Sequence, residues 1–242
     1  MQRLLDGAQA LGLSLAPEQQ ASFQRYYEEL IVWNEKFNLT AITDYEQVQI
    51  RHFLDSLSCL LAEEIRLALG RPDARAIDVG SGAGFPGIPL KLVCPSLHLT
   101  LLEATGKKVT FLDHVVGRLG LHRVVAVKAR AEELARDPAH RGQYDVALVR
   151  AVADLPVVAE YALPFCKLGG WLVAQKGEAG AAEAWRAESS ISLLGGELRR
   201  VMSVELAGLP EDRSLVIIEK VSPTPESYPR RPGLPRKRPL GR

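Results

Sequence analysis

The stretch Ala76-Ile77-Asp78-Val79-Gly80-Ser81-Gly82-Ala83-Gly84-Phe85-Pro86-Gly87 admits few folds. Ala76 to Val79, apolar but for Asp78, suits a buried strand. Glycines at 80, 82 and 84 follow, and then an apolar segment of helical character from Phe85 to Val93. Strand, glycine turn and helix open a nucleotide-binding βαβ unit. Glycine lets the backbone turn sharply and approach a ligand with no Cβ in the way. The helix that follows points unpartnered N–H groups at whatever lies there.

Two glycine patterns overlap. Read from Gly82, the run fits the dinucleotide form G-x-G-x-x-G, but Gly82 lies three residues past the strand, late for that form. Read from Gly80, the third glycine would fall at Phe85. The form D-x-G-x-G-x-G, starting at Asp78, resembles the S-adenosylmethionine (SAM) loop of Rossmann-like methyltransferases. SAM has no pyrophosphate, so such a loop cradles an amino-acid tail, a sulfonium and a ribose. SAM is the preferred ligand over NAD, and a turn holding no ligand is the bland alternative. The next apolar run, Leu99-Thr100-Leu101-Leu102-Glu103, ends in an acid 19 positions after Gly84. That is near the offset of about 20 residues at which a carboxylate accepts from ribose hydroxyls.

The remaining chain alternates strands and helices. Strands are expected at Val124 to Lys128, Tyr144 to Val149 and Gly170 to Gln175, with helices between them, and Val201 to Leu206 and Ser214 to Val221 as a closing hairpin-like pair. The predicted fold is α/β: a seven-stranded, doubly wound, mostly parallel Rossmann-like sheet. Residues 1–70 read as a helical cap, with Phe23, Tyr26, Leu30 and Phe37 at helical period and one long helix from about Asp44 to Leu69. On that helix His52 and Asp55 share a face and are expected as a surface pair. Residues 71–222 form the sheet domain and 223–242 a basic, proline-rich tail. From Pro229 to Arg242 there are six basic side chains and no acid, leaving 24 basic and 29 acidic side chains on the other 228 residues. A basic tail on a mildly acidic body suggests a polyanion partner, and by charge alone equally a disordered solubilising tail.

Charged residues are 24% and apolar residues 47%, as in soluble globular chains. No apolar run approaches the ~18 residues of a membrane span, and no secretory leader is visible. Cys59, Cys94 and Cys166 are isolated, so neither a disulfide framework nor a zinc site is indicated, and no metal is expected. A cytoplasmic monomer is the default.

Ligands of such sheets bind at the carboxyl ends of the strands. That rule gathers Gly80, Glu103, Ala131, Glu132 and Arg150. Glu132 suits the exocyclic amine of adenine, or a helix N-terminal acid stabilised by the dipole. Arg150 is a candidate to orient a base or phosphate or to hold the SAM carboxylate; its structural alternative is an ion pair with Asp78 or Asp154. Lys176 reads as a solvated lysine. After strand four the chain reads Arg150-Ala151-Val152-Ala153, without the Asn/Asp-Pro-Pro-aromatic cluster expected for amine methylation. None of the cysteines suits attack from pyrimidine C5. A ring nitrogen such as guanine N7 stays open as acceptor.

Four motifs in order, Asn38-Leu39-Thr40-Ala41-Ile42, His52-Phe53-Leu54-Asp55-Ser56-Leu57, Asp78 to Gly87, and Tyr228-Pro229-Arg230-Arg231-Pro232-Gly233, resemble the bacterial RsmG (GidB) family. The resemblance implies a SAM-dependent methyltransferase acting on N7 of a guanine in the 530 loop of 16S ribosomal RNA, on naked RNA or the small subunit. It implies SAM contacts from Gly80, Phe85, Glu103, Ala104, Thr105, Ala131, Glu132 and Arg150, to which the glycine run itself adds Gly82 and Gly84. RNA contacts would come from Arg230 and Arg231, with Arg236, Lys237 and Arg238 beside them. Glu103 replaces the aspartate of some members, which keeps the acceptor on a longer arm. Two other classes stay open: an NAD-dependent oxidoreductase, and a non-catalytic RNA-binding module.

Overall fold

The computed structural model describes residues 1–206, 208 and 213–241. The N-terminal helices are α1 (Gln2–Ala10), α2 (Pro17–Phe37), α3 (Tyr45–Val48), α4 (Asp55–Leu57) and α5 (Glu63–Leu69). The core then runs β1 (Arg75–Val79), α6 (Gly87–Val93), β2 (His98–Glu103), α7 (Gly106–Arg118), β3 (Val124–Lys128), α8 (Ala131–Leu134) and β4 (Tyr144–Arg150). It closes with α9 (Leu155–Ala162), β5 (Cys166–Lys176), α10 (Gly180–Leu193), β6 (Gly196–Val204), β7 (Arg213–Lys220) and the short α11 (Leu234–Lys237).

The seven strands lie in the order β3-β2-β1-β4-β5-β7-β6. β1 to β5 are parallel; β7 runs antiparallel between β5 and β6. Both faces are covered, so side chains of both parities are buried. Ala76, Leu99, Leu101, Val146 and Leu148 face the cap, α6 and α7. Ile77, Leu102, Ala147 and Val149 face α9 and α10. The sheet order reverses between β1 and β4, which opens a crevice beyond their carboxyl ends.

The cap is less regular than its period suggests. Pro17 opens α2, and Asn38, with φ +49°, ends it in the left-handed conformation. Asp44 caps α3 by accepting from the N–H groups of Glu46 and Gln47. The single helix expected from Asp44 to Leu69 is instead broken. Gln49–Leu54 is a π-helical turn and Ser58–Leu61 a 3₁₀ turn. The Gln49 side chain accepts from Leu4 N–H and donates to the Tyr45 carbonyl, tying the wide turn to α1. A π-turn re-aims the side chains after it, and here His52 and Asp55 are buried against the sheet.

Candidate active site

A cleft of about 380 Å³ opens at the crevice, walled by Gly80, Glu103, Ala104, Thr105, Ala131 and Glu132 among others. Each comes from the carboxyl end of β1, β2 or β3, as the sheet rule requires. Gly80 has φ +77°, and a Cβ there would lie 2.8 Å from a Val152 methyl, so the turn closes only with glycine. Its N–H, and that of Ser81, donate to the Leu102 carbonyl, which fastens the glycine turn to β2. Glu103 is buried and accepts from Gly82 N–H at 3.0 Å on Oε2 and from Thr105 N–H at 2.8 Å on Oε1. Two backbone donors thus orient this carboxylate, with a further lone pair on each oxygen.

Four predicted contacts stand elsewhere. Gly82 supports Glu103 from behind through its N–H. Gly84 is a packing glycine: a Cβ there would fall 2.5 Å from Ile88 and 2.6 Å from the Tyr26 hydroxyl. Phe85 turns its ring to the cap, stacked on His52 at 4.5 Å and Tyr26 at 5.3 Å between centroids. Arg150 lies over that ring at 5.0 Å. The dipeptide Phe85-Pro86 thus belongs to the joint between glycine turn and cap, and α6 begins only at Gly87, whose N–H donates to Asp78 at 2.9 Å. Burial pushes the Asp78 carboxyl up to about 7.

Arg150 pairs with Asp55 of the cap rather than with Asp78. Its Nη1 donates to Asp55 Oδ2 at 2.9 Å and to the Arg51 carbonyl at 3.0 Å, and Nη2 meets His52 Nδ1 at 3.2 Å. Nδ1 also lies 3.1 Å from the Arg51 carbonyl, and Nε2 makes a hydrogen bond of 2.8 Å with Thr40 Oγ1, so both ring nitrogens are partnered. Burial and the adjacent Arg150 hold the His52 pKa down, at about 3, so the ring is neutral. The expected surface pair of His52 and Asp55 is therefore a buried clamp on the end of β4. Lys176 is likewise not solvated: its ammonium donates to the Ala153 carbonyl at 2.6 Å and pairs with Glu183 at 2.6 Å. Asp55 also lies 3.6 Å from Arg213.

The tail folds back onto the body rather than trailing from it. Arg230 forks onto Glu160, a fully buried carboxylate on α9, with contacts of 2.6–3.1 Å. It is not available as the RNA contact the resemblance implied. Arg141 and Arg136 donate to the carbonyls of Tyr228 and Pro229. Gly233 N–H donates to Glu132 Oε1 at 2.9 Å, and Arg236 donates to the Val152 carbonyl at 2.7 Å while lining the cleft. Arg231, Lys237 and Arg238 are exposed; Arg242 lies outside the described residues. The cleft also draws on Lys108, Arg130 and Tyr161, which strand-end reasoning from the sequence did not select. Arg130 adjoins Ala131 and was within reach of that rule. Tyr161 and Arg236 come from α9 and the tail, with no local signal. Burial and the Glu132 carboxylate push the Tyr161 hydroxyl up to about 12.

Cys59 and Cys166 are buried and burial pushes the Cys166 thiol up to about 12, so neither is a nucleophile. Among the described residues no group of three His, Cys, Asp or Glu side chains is placed to hold a metal ion. No helix among them is long and apolar enough to cross a membrane.

A family model described as rRNA small subunit methyltransferase G (GidB) matches residues 19–216. The chain belongs to the GidB family. A "Ribosomal RNA small subunit methyltransferase G" of Roseiflexus castenholzii is 50% identical over 99% of this chain and 100% of its own. One of Dehalococcoides mccartyi (strain BAV1) is 47% identical over the same shares. Among solved structures, a putative sarcosine dimethylglycine methyltransferase from Galdieria sulphuraria superposes with TM-score 0.53, at 11% identity, over 69% of this chain and 85% of that one. M. jannaschii TYW2 in complex with AdoMet gives 0.51 at 16%, over 67% and 77%. These two likenesses concern the fold alone. GidB membership separates the chain from the hydride-transfer enzymes that its glycine spacing admitted.

Proposed function

We propose that this GidB-family chain transfers the methyl group of SAM to N7 of a guanine in the 530 loop of 16S ribosomal RNA. Membership of a family described as rRNA methyltransferases supports the reaction and substrate class. The observation that carries the cofactor assignment is the Glu103 carboxylate, oriented by two backbone N–H groups at the wall of the crevice. The residues fit the group: the cleft volume falls within the range of about 300–1,000 Å³ common to small-ligand sites, and a glycine lines its floor where a side chain would collide.

In this reading Glu103 accepts from the ribose hydroxyls, the turn at Gly80 gives room for the amino-acid tail, and Ala131 and Glu132 face the adenine edge. Bound SAM supplies a methyl group on a positively charged sulfur. The guanine N7 lone pair forms the new C–N bond as the C–S bond breaks, and the electron pair leaves on sulfur. N7 carries no proton, so no general base is required; holding the two partners in line supplies the acceleration. Arg231, Lys237 and Arg238, exposed on the tail, contact RNA phosphates. The substrate places the protein in the cytoplasm.

Methyl transfer from labelled SAM to small subunits prepared without the modification, with the base mapped, tests the reading. One labelled guanine N7 in the 530 loop is the expected result. Clear SAM binding with no label in ribosomal RNA would move the substrate elsewhere; no SAM binding would remove the cofactor assignment.

A further inference from the structure

A second cavity, of about 390 Å³, adjoins the cofactor cleft: Ala151 lines both. Ala151 has φ +54°, a left-handed conformation rare for a residue with a side chain. The backbone after β4 thus turns at the boundary that the two spaces share. Its carbonyls are held from both sides, Ala153 by Lys176 and Val152 by Arg236. The far walls of the second cavity come from the cap. Two cap motifs that the cofactor site leaves unused converge there: Thr40 of the first holds His52 of the second, and His52 and Asp55 clamp Arg150 on the cavity wall.

Resting on the methyltransferase reading, we propose that this second cavity receives the acceptor guanine, with Arg150 as a positioning residue. Among the described residues, Arg51, Arg150, Lys176 and Arg213 line it beside Asp55 and Glu183, and His52 is neutral. Guanidinium and ammonium groups on the wall suit a ring that arrives on a phosphate backbone. Guanine presents N7 and O6 side by side as acceptors. A donor on N7 would occupy the lone pair that must attack, so the guanidinium serves O6 or a flanking phosphate and leaves N7 toward the cofactor cleft. Three partners fix Arg150 before substrate arrives, which saves ordering it on binding. Buried Gln175 has a side-chain oxygen with no partner, on the same wall. It is an acceptor suited to the N1–H or amino group on the opposite edge of guanine and offers nothing to a second acceptor edge.

Filling the cavity tests this. Ile42→Trp narrows it, and Arg213→Ala removes one of its cations; neither residue lines the cofactor cleft. In both full-length variants the SAM dissociation constant, by calorimetry, is expected within about twofold of the parent. The kcat/KM for small subunits falls at least 50-fold in Ile42→Trp and about 10-fold in Arg213→Ala. Unchanged transfer in both, or a parallel loss of SAM affinity, overturns the assignment. Guanosine 5′-monophosphate, followed by saturation-transfer NMR with S-adenosylhomocysteine present, separates this from failure of the functional reading. If the parent methylates no ribosomal RNA yet binds the nucleotide, and Ile42→Trp does not, the cavity stands and only the substrate changes. No nucleotide binding to the parent refutes the cavity.

Discussion

At the residue scale, His52 carries a charge state that its neighbours impose. Its ring is neutral in the folded chain down to about pH 3, against an ordinary value of 6.5. Between those values the unfolded chain binds a proton that the folded chain does not, so stability falls as pH falls. The slope is at most about 1.4 kcal/mol per pH unit. Asp78, raised by burial to about 7, works in the opposite direction: its proton is taken up by the folded chain first, and stability falls as pH rises from 3.8 toward 7. The two trends oppose each other over most of that window. The His52 contribution emerges in the difference between the parent and His52→Gln. That difference, from urea midpoints, is expected to move against the parent as pH is lowered from 6.5 to 4; a pH-independent difference would mean that His52 titrates normally. The sequence placed His52 and Asp55 on one helix face, which is correct as far as spacing goes. Their burial was not legible there, because it depends on a π-turn and on an arginine nearly a hundred residues away.

At the element scale, the tail is the clearest case of charge misread as accessibility. Six basic residues in sequence look alike, yet the fold divides them. Arg230 is spent on Glu160, Arg236 reaches the cleft, and Arg231, Lys237 and Arg238 stay on the surface. The division predicts different phenotypes. Alanine at Arg231, Lys237 or Arg238 is expected to lower the salt slope of RNA binding by roughly 0.7–0.9 for each phosphate left without its cation, with the melting temperature unchanged. Arg230→Ala leaves the buried Glu160 carboxylate with the backbone N–H of residue 230 but without its cation, and is expected to cost about 3–5 kcal/mol of stability. Equal salt slopes and equal stabilities for Arg230 and Arg231 variants would return the tail to a uniform basic arm. Truncation after Ser227 removes both the Gly233 bond to Glu132 and Arg236, so SAM affinity is expected to fall together with RNA affinity, as calorimetry with each ligand would show.

At the scale of the whole molecule, cap, sheet and tail share their polar contacts as well as their core. Phe23, Tyr26, Phe53 and Phe85 form one aromatic cluster across the boundary at residue 70. Trp33 of the cap packs on Phe111 and His114 of α7. Gln175 of β5 donates to the Asp55 carbonyl at 2.6 Å. The three segments expected from composition therefore unfold together: with Trp33 and Trp171 as separate reporters in single-tryptophan variants, coincident urea midpoints are expected. An earlier transition at Trp33 would make the cap an independent unit. What the sequence determined by itself is local in origin: the glycine turn, the acid ending β2, the alternation of strand and helix, and the strand ends that gather Gly80, Glu103 and Glu132. Those follow from steric limits and side-chain periods that act within a few residues. Tertiary structure alone decided that β7 inserts between β5 and β6, that Phe85 faces the cap, that Asp55 and His52 clamp Arg150, and that the tail closes on the cleft. Each of these is a choice among chemically equivalent partners. An arginine accepts any carboxylate as its partner, and only burial of the apolar faces of cap and sheet brings one within reach.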